Sequence, residues 1–91
     1  MGVSGCKAIT SNLEKIINSK KIDFTIVNGE NAADDGRGIT NKIVEDLFNK
    51  GVDVITSGNH IWDKQETTNY IDKENRLLRP ANLVEGSPGK G

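Results

Sequence analysis

Several things are scarce in this sequence, and each scarcity excludes something. There is one cysteine, Cys6, so no internal disulfide forms and no oxidising compartment is implied. Without a nearby His or Cys in sequence, Cys6 reads as a small apolar side chain on a helix face rather than a reactive thiol. There is one histidine, His60, so any imidazole chemistry falls to that residue. Aromatics are few (two Phe, one Tyr and one Trp), and the hydrophobic fraction is 34%, which is lean for an independent core. No run approaches the roughly 18 apolar residues of a membrane span. No basic stretch followed by an apolar one opens the chain, so no secretion signal is read and a cytoplasmic location is expected.

Charge of one sign is also missing. The 12 basic and 13 acidic residues are interspersed and give a formal net charge of -1. Without a basic stripe, neither nucleic acid nor an anionic membrane is supported as a partner. The length of 91 residues allows one domain at most, over residues 1–91, with a thin core.

What is present alternates between two periodicities, which predicts an α/β fold. Ile9, Leu13, Ile16 and Ile17 mark one face of a helix over Lys7–Ser19. Ile22 to Val27 is a short apolar run closed by Asn28-Gly29, a buried strand and its turn. Asp34 to Gly38 is a loop. Thr40 caps a second helix, whose apolar stripe is Ile43, Val44, Leu47 and Phe48. Gly51 takes the left-handed position that ends it. Val52, Val54 and Ile55 form a second strand, which stops at Ser57-Gly58. Asp63 and Glu66 have capping-box spacing for a third helix bearing Tyr70 and Ile71. Leu77 and Leu78 suggest a third strand, weakened by Pro80. Glu85 to Gly91 reads as a loop.

The first two strands are separated by about 24 residues that include a helix, so they are joined by a crossover and run parallel. Parallel strands deliver the turns at their C-terminal ends to one rim, where open α/β sheets bind ligands. Asn28-Gly29-Glu30-Asn31 succeeds the first strand and Gly58-Asn59-His60 the second. The two clusters are therefore expected to meet. Glu30 offers two carboxylate oxygens to a hard cation, Asn31 and Asn59 offer amide carbonyls, and His60 can ligate or act as a general acid. Ordinary turn chemistry with an incidental histidine is the competing reading, because Asn-Gly and Gly-Asn are common turn pairs.

Other candidates stand lower. Asp34 and Asp35 read as a solvated loop before a cation site. Arg76 and Arg79 read equally as phosphate contacts or as alternation along a strand. Gly86 to Gly91 lacks the spacing, the following Ser or Thr, and the helix of a phosphate-binding glycine loop. Trp62 reads as packing.

Three segments carry a resemblance: Val27-Asn28-Gly29-Glu30-Asn31-Ala32-Ala33, the run from Gly51 through Gly58-Asn59-His60 to Asp63, and Leu77-Leu78-Arg79-Pro80-Ala81-Asn82. In that order they resemble the bacterial YmdB-like metallophosphoesterases, described as 2′,3′-cyclic-nucleotide 2′-phosphodiesterases. The resemblance implies a partial calcineurin-like αββα sandwich, with a dinuclear iron or manganese centre and a phosphodiester as the small-molecule partner. It assigns Glu30 as the carboxylate bridging both metals, Asn31 and Asn59 as ligands of one metal each, and His60 as the acid that protonates the leaving oxygen.

The family pattern also has an earlier strand ending in Gly-Asp and later metal-binding histidines. This chain matches only the glycine-rich turn, Met1 to Gly5, that comes after that strand. The resemblance thus implies the N-terminal part of one metallophosphoesterase domain, with the first strand and the C-terminal portion missing, and a marginally stable chain inactive by itself. Two alternatives stand beside this: an enzyme half completed by a second chain that supplies the remainder of the domain, and a non-catalytic α/β binding module.

Overall fold

The computed structural model describes residues 2–91. Five elements follow in order: α1 (Gly2–Lys20), β1 (Ile26–Asn28), α2 (Asn41–Asn49), β2 (Val54–Thr56) and α3 (Gln65–Tyr70). The expected α/β class, with parallel strands and crossover helices, is the observed one. β1 and β2 pair in parallel, with Ile26 opposite Val54, Val27 opposite Ile55 and Asn28 opposite Thr56. Leu77 forms a parallel bridge to Ile55, and Leu78 another to Lys90. The weakened third strand is therefore a short bridged segment. The tail is not a free loop, since Lys90 adds a fourth parallel position beside Leu78.

α1 begins earlier than periodicity predicts. Of the segment matched to a glycine-rich turn, Met1 lies outside the described residues, and Gly2 to Gly5 belong to the helix. Gly2 itself keeps a left-handed φ of 66° at the helix start. At the other end Lys21 is left-handed (φ 53°) and the Ile22 N–H donates to the Ile17 carbonyl at 3.0 Å, a six-to-one closure that satisfies a terminal carbonyl. The packed face of α1 runs through Cys6, Ile9 and Leu13. Ile16, expected on that face, is exposed instead.

α2 follows its sequence signals closely. The Thr40 hydroxyl accepts from the Ile43 N–H at 3.3 Å, and Gly51 has φ 102° beyond the last turn. Its apolar stripe buries Val44 and Leu47 against Ile39, Ile55, Ile61, Ile71 and Leu77. α3 departs from expectation. Lys64 occupies its N-cap without a side-chain hydrogen bond, so Asp63 and Glu66 form no capping box. Glu66 reaches across to α2, where its Oε1 accepts from the Asn41 N–H at 3.2 Å. That N–H is one of the unsatisfied donors of a helix start. A tertiary partner has replaced the local one.

One side of the sheet is bare. Phe24 and Ile26 are 60% and 61% exposed. They lie two residues apart, on the face opposite Val27, which packs towards the core. Among the described residues no strand pairs with the outer edge of β1. Among them, too, no helix is long and apolar enough to cross a membrane.

Candidate functional site at the strand ends

The parallel register brings the two turn clusters to one rim. The ladder continues one step past β1, where the Gly29 N–H donates to the Thr56 carbonyl at 2.8 Å. The chain then turns: the Glu30 N–H donates to the Asn28 side-chain oxygen at 3.0 Å. The next loop is closed by the Gly38 N–H on the Glu30 carbonyl (2.7 Å) and the Ala33 N–H on the Gly38 carbonyl (2.9 Å). Asn31 Nδ2 donates to the Gly36 carbonyl at 2.8 Å, which fixes the orientation of its amide.

α1 lies over this loop. The Gly2 N–H donates to the Asn31 carbonyl at 3.0 Å, and the Cys6 thiol donates to the Ala32 carbonyl at 2.9 Å. Burial raises the Cys6 pKa above the ordinary thiol value, which disfavours the reactive thiolate. Cys6 is a packing residue with one weak hydrogen bond.

Two glycines set the approach of the second cluster. A Cβ on Gly58 would overlap the Glu30 carboxyl group, so that carboxyl lies directly against the Gly58 backbone, one residue before Asn59. A Cβ on Gly38 would stand 2.6 Å from the His60 carbonyl oxygen, so the Glu30–Gly38 loop and the Gly58–Asp63 turn are in backbone contact. Glu30, Asn31, Asn59 and His60 thus share one rim, as the connection rules require.

The second cluster is a pair of consecutive turns. The Ile61 N–H donates to the Gly58 carbonyl at 3.1 Å and the Asp63 N–H to the His60 carbonyl at 3.0 Å. Ile61 is fully buried and anchors the turn in the core, while Trp62 packs on the core's edge as expected. The same turn brings His60 Nδ1 to 3.1 Å from Asp63 Oδ2, both side chains 35% exposed. A carboxylate only accepts, so Nδ1 carries the proton and Nε2 is left to exchange one with a ligand. Sequence reading missed this role for Asp63 by assigning it to a helix cap. The three-residue spacing was the available signal.

Lys64 and Asp35 add a second tie between the loops, Nζ to Oδ2 at 2.7 Å. Asp35 is therefore an ion-pair partner rather than a free carboxylate. The hydrogen bond from Lys64 holds its carboxyl below the ordinary range, helped by the Arg37 backbone N–H. A lowered carboxylate pKa stabilises the folded state fully above the unfolded value of about 3.9, and that contribution is lost as pH falls through the lowered folded value. Lys64→Met is expected to bring the Asp35 pKa back up towards its ordinary value in an NMR titration, with Arg37 retaining part of the depression. An unchanged titration would mean the tie does not form in solution.

A cleft of about 570 Å³ lies elsewhere. It runs between α1 and α2, lined by Val3, Cys6, Ile43 and Leu47 with Lys7, Lys42 and Lys64 at its margins. It includes none of Glu30, Asn31, Asn59 or His60, and the chemistry of those residues outweighs its size in locating the site.

The donor set decides what metal the rim can hold. Glu30 supplies one anionic group, and Asn31 and Asn59 supply neutral oxygens. Among the described residues no group of three or more His, Cys, Asp or Glu side chains is placed to hold a metal ion. Two divalent cations need more negative charge than this. The residues fit one weak face of a metal site and do not fit a closed dinuclear centre.

A parallel α/β sheet thus gathers a Glu, two Asn and an Asp-held His at its strand ends. The chain belongs to the YmdB-like protein family, whose model matches residues 1–91. It is 47% identical, over all 91 residues, to a Bacillus subtilis 2′,3′-cyclic-nucleotide 2′-phosphodiesterase, and covers 34% of that protein. A crystal structure of a Thermus thermophilus protein superposes with a TM-score of 0.88 at 35% identity, covering 100% of this chain and 34% of that one. A Mycoplasma pneumoniae phosphatase structure superposes at 0.86 and 32% identity, covering 99% and 33%. The chain therefore spans about a third of the length of the relatives it matches.

Proposed function

We propose that this chain supplies part of a phosphodiesterase site acting on cyclic nucleotides or related phosphodiesters, and that it does not turn them over alone. The observation that carries this reading is the seating of the Glu30 carboxyl against Gly58, immediately before Asn59 and the Asp63-held His60. The identity to a phosphodiesterase relative supports the substrate class. His60 protonates the departing oxygen, with Asp63 fixing its tautomer and orientation. Glu30, Asn31 and Asn59 present oxygens to a cation. In the family resemblance that cation is iron or manganese, and it would neutralise charge on the phosphate. A second metal and the remaining anionic ligands must come from residues outside this set.

Completion by further residues of the domain is favoured over a non-catalytic module by one feature. The uncovered sheet face bearing Phe24 and Ile26 belongs to a fold that, in its solved relatives, accompanies about twice as much further chain.

The test is hydrolysis of a 2′,3′-cyclic nucleotide with manganese, by the chain alone and mixed with the non-matching two thirds of the Bacillus relative. Background rates alone and turnover on mixing are expected, with His60→Ala lowering the mixed rate by about 10²- to 10⁴-fold, the usual worth of a general acid. Turnover that is indifferent to His60→Ala would end this reading.

A further inference from the structure

The rim carries a cation that the site as described does not use. Arg76 and Arg79 lie three residues apart on the bridged segment, and the structure separates them. Arg76 is engaged at the segment's start: its Nε and Nη2 donate to Glu74 at 2.9 and 3.1 Å, and its guanidinium lies 3.9 Å over the Phe48 ring. Arg79 is at the other end, where the segment reaches the site.

Register places it there. Ile55 is opposite Leu77, with the Ile55 N–H on the Arg76 carbonyl and the Leu78 N–H on the Ile55 carbonyl, both at 2.8 Å. The Ser57 hydroxyl donates to the Leu78 carbonyl, which keeps the two segments together up to the rim. Two residues beyond Leu77, Arg79 stands level with Ser57. Gly29 stands level with Ser57 on the other side. At about 4.8 Å between neighbouring strands, the Arg79 backbone is about 10 Å from that of Gly29, with the turn into Asn59 and His60 rising between them. An arginine side chain spans most of that distance.

Its bonding is incomplete. Arg79 Nη1 donates only to the adjoining Pro80 carbonyl at 3.0 Å. Its Nε is shielded from solvent and has no hydrogen-bond partner. Among the described residues no carboxylate pairs with it, although Glu74, Asp35 and Asp63 each hold a cationic or imidazole partner. A half-buried guanidinium with an unmet donor is costly unless an anion meets it, and its planar fork suits two oxygens of one phosphate. Alternation explains why Arg79 shares the buried face of Leu77. It does not explain a charge left unpaired at the ligand-binding end of a parallel sheet.

We infer that Arg79 is a substrate-contacting residue of this site, donating its guanidinium N–H groups to the non-bridging oxygens of the phosphodiester opposite Glu30 and His60. This rests on the phosphodiesterase reading and adds to it a role that none of the similarities assigns. Arg79 clamps the phosphate and transfers no proton, so it sets affinity and orientation.

The experiment titrates inorganic phosphate into the 15N-labelled chain and follows the Arg79 Nε–H and the Gly58, Asn59 and His60 amide signals, at constant ionic strength. Saturable shifts are expected. In Arg79→Gln the affinity should weaken by about 10- to 100-fold, the usual worth of a charged hydrogen bond to phosphate. Arg79→Lys, which keeps the charge without the fork, should fall between them. Equal affinity in wild type and Arg79→Gln overturns the assignment. Where Arg79→Gln does not fold, wild-type affinity in Arg79→Lys overturns it.

A parallel manganese titration, reading Glu30-dependent broadening at Asn59, separates the two levels. Manganese broadening that is lost in Glu30→Gln, without phosphate shifts at Arg79, removes Arg79 alone. No response to either probe removes the site with it.

Discussion

Replacing Gly38 by alanine is expected to destabilise the protein by about 2–4 kcal/mol, since two penalties coincide at one position. Gly38 has φ 72°, where an L side chain crowds its own backbone. Its added Cβ would also stand 2.6 Å from the His60 carbonyl oxygen. That neighbour is backbone, held by the Asp63 N–H at 3.0 Å, so it cannot rotate away as a side-chain tip would. Against a total of roughly 5–15 kcal/mol for a domain, the loss is a large share. For a chain of this size it corresponds to a melting temperature lower by about 10 °C or more. The His60 turn should also move, because relief of the clash means separating the two loops. Thermal melting monitored by circular dichroism, with amide shifts at His60 to Asp63, provides the check. A melting temperature within a degree or two of wild type would show that the two loops are not in contact in solution.

Gly58→Ala has a different expected signature. Its Cβ would fall on the Glu30 carboxyl, the far end of a flexible side chain. Glu30 can swing out at little cost to the fold, because nothing structural depends on that carboxyl. The stability change is therefore expected to stay within about 1 kcal/mol, as at surface-like positions. The rim, however, loses its one anionic ligand group from its place beside Asn59. Manganese-induced broadening of the Asn31 and Asn59 side-chain amides should disappear in Gly58→Ala, as it should in Glu30→Gln. The same manganese concentration should broaden them in the wild-type chain, where weak binding suffices for a paramagnetic effect. Persistence of the broadening in Gly58→Ala would mean that Glu30 is not the group that brings the cation to Asn59.

The two substitutions look alike on paper, each adding one methyl to a glycine next to the site. They part because one methyl meets backbone and the other a side-chain tip. Stability measurements alone would find the first and miss the second. Metal titration is expected to find the second with the fold intact, which makes Gly58→Ala the cleaner probe of the site.

Electrostatic balance at the rim rests on the same placements. Glu30 is on one side, and Arg79 and Lys90 are on neighbouring parallel positions on the other. On the proposed reading, a phosphodiester carrying one negative charge would sit between a cation held by Glu30 and the Arg79 guanidinium. The Asp35–Lys64 pair braces the two loops from outside. Its exposure to water limits it to a small contribution.

Much of this was legible in the residues. Thr40 and Gly51 mark the ends of α2 because caps and left-handed stops depend only on neighbouring torsions. Val27 and Ile55 lie at the centre of a parallel pair because short apolar runs joined through a helix admit few topologies. From that alone, Glu30 and the Asn59-His60 pair had to rise from one edge. Other assignments failed where a side chain found a different environment from the one its local spacing suggested. Glu66 had the spacing of a local cap, yet bonds to Asn41 25 residues away. Asp63 turned to His60. Ile16 fitted the helical stripe of α1, yet the core is too thin to reach it.

Arg76 and Arg79 could not be told apart by alternation. Only the register of Leu77 on Ile55 shows that one begins the segment and the other ends it at the rim. The sequence by itself determined the helices, the turns, and the edge where the chemistry gathers, since torsional preference and hydrophobic period act over a few residues. The tertiary structure decided which of Arg76 and Arg79 lacks a carboxylate partner among the described residues, and that Glu30 rests on Gly58. Those outcomes depend on the meeting of segments roughly 20 to 30 residues apart, where packing and burial choose among partners that local spacing leaves equal.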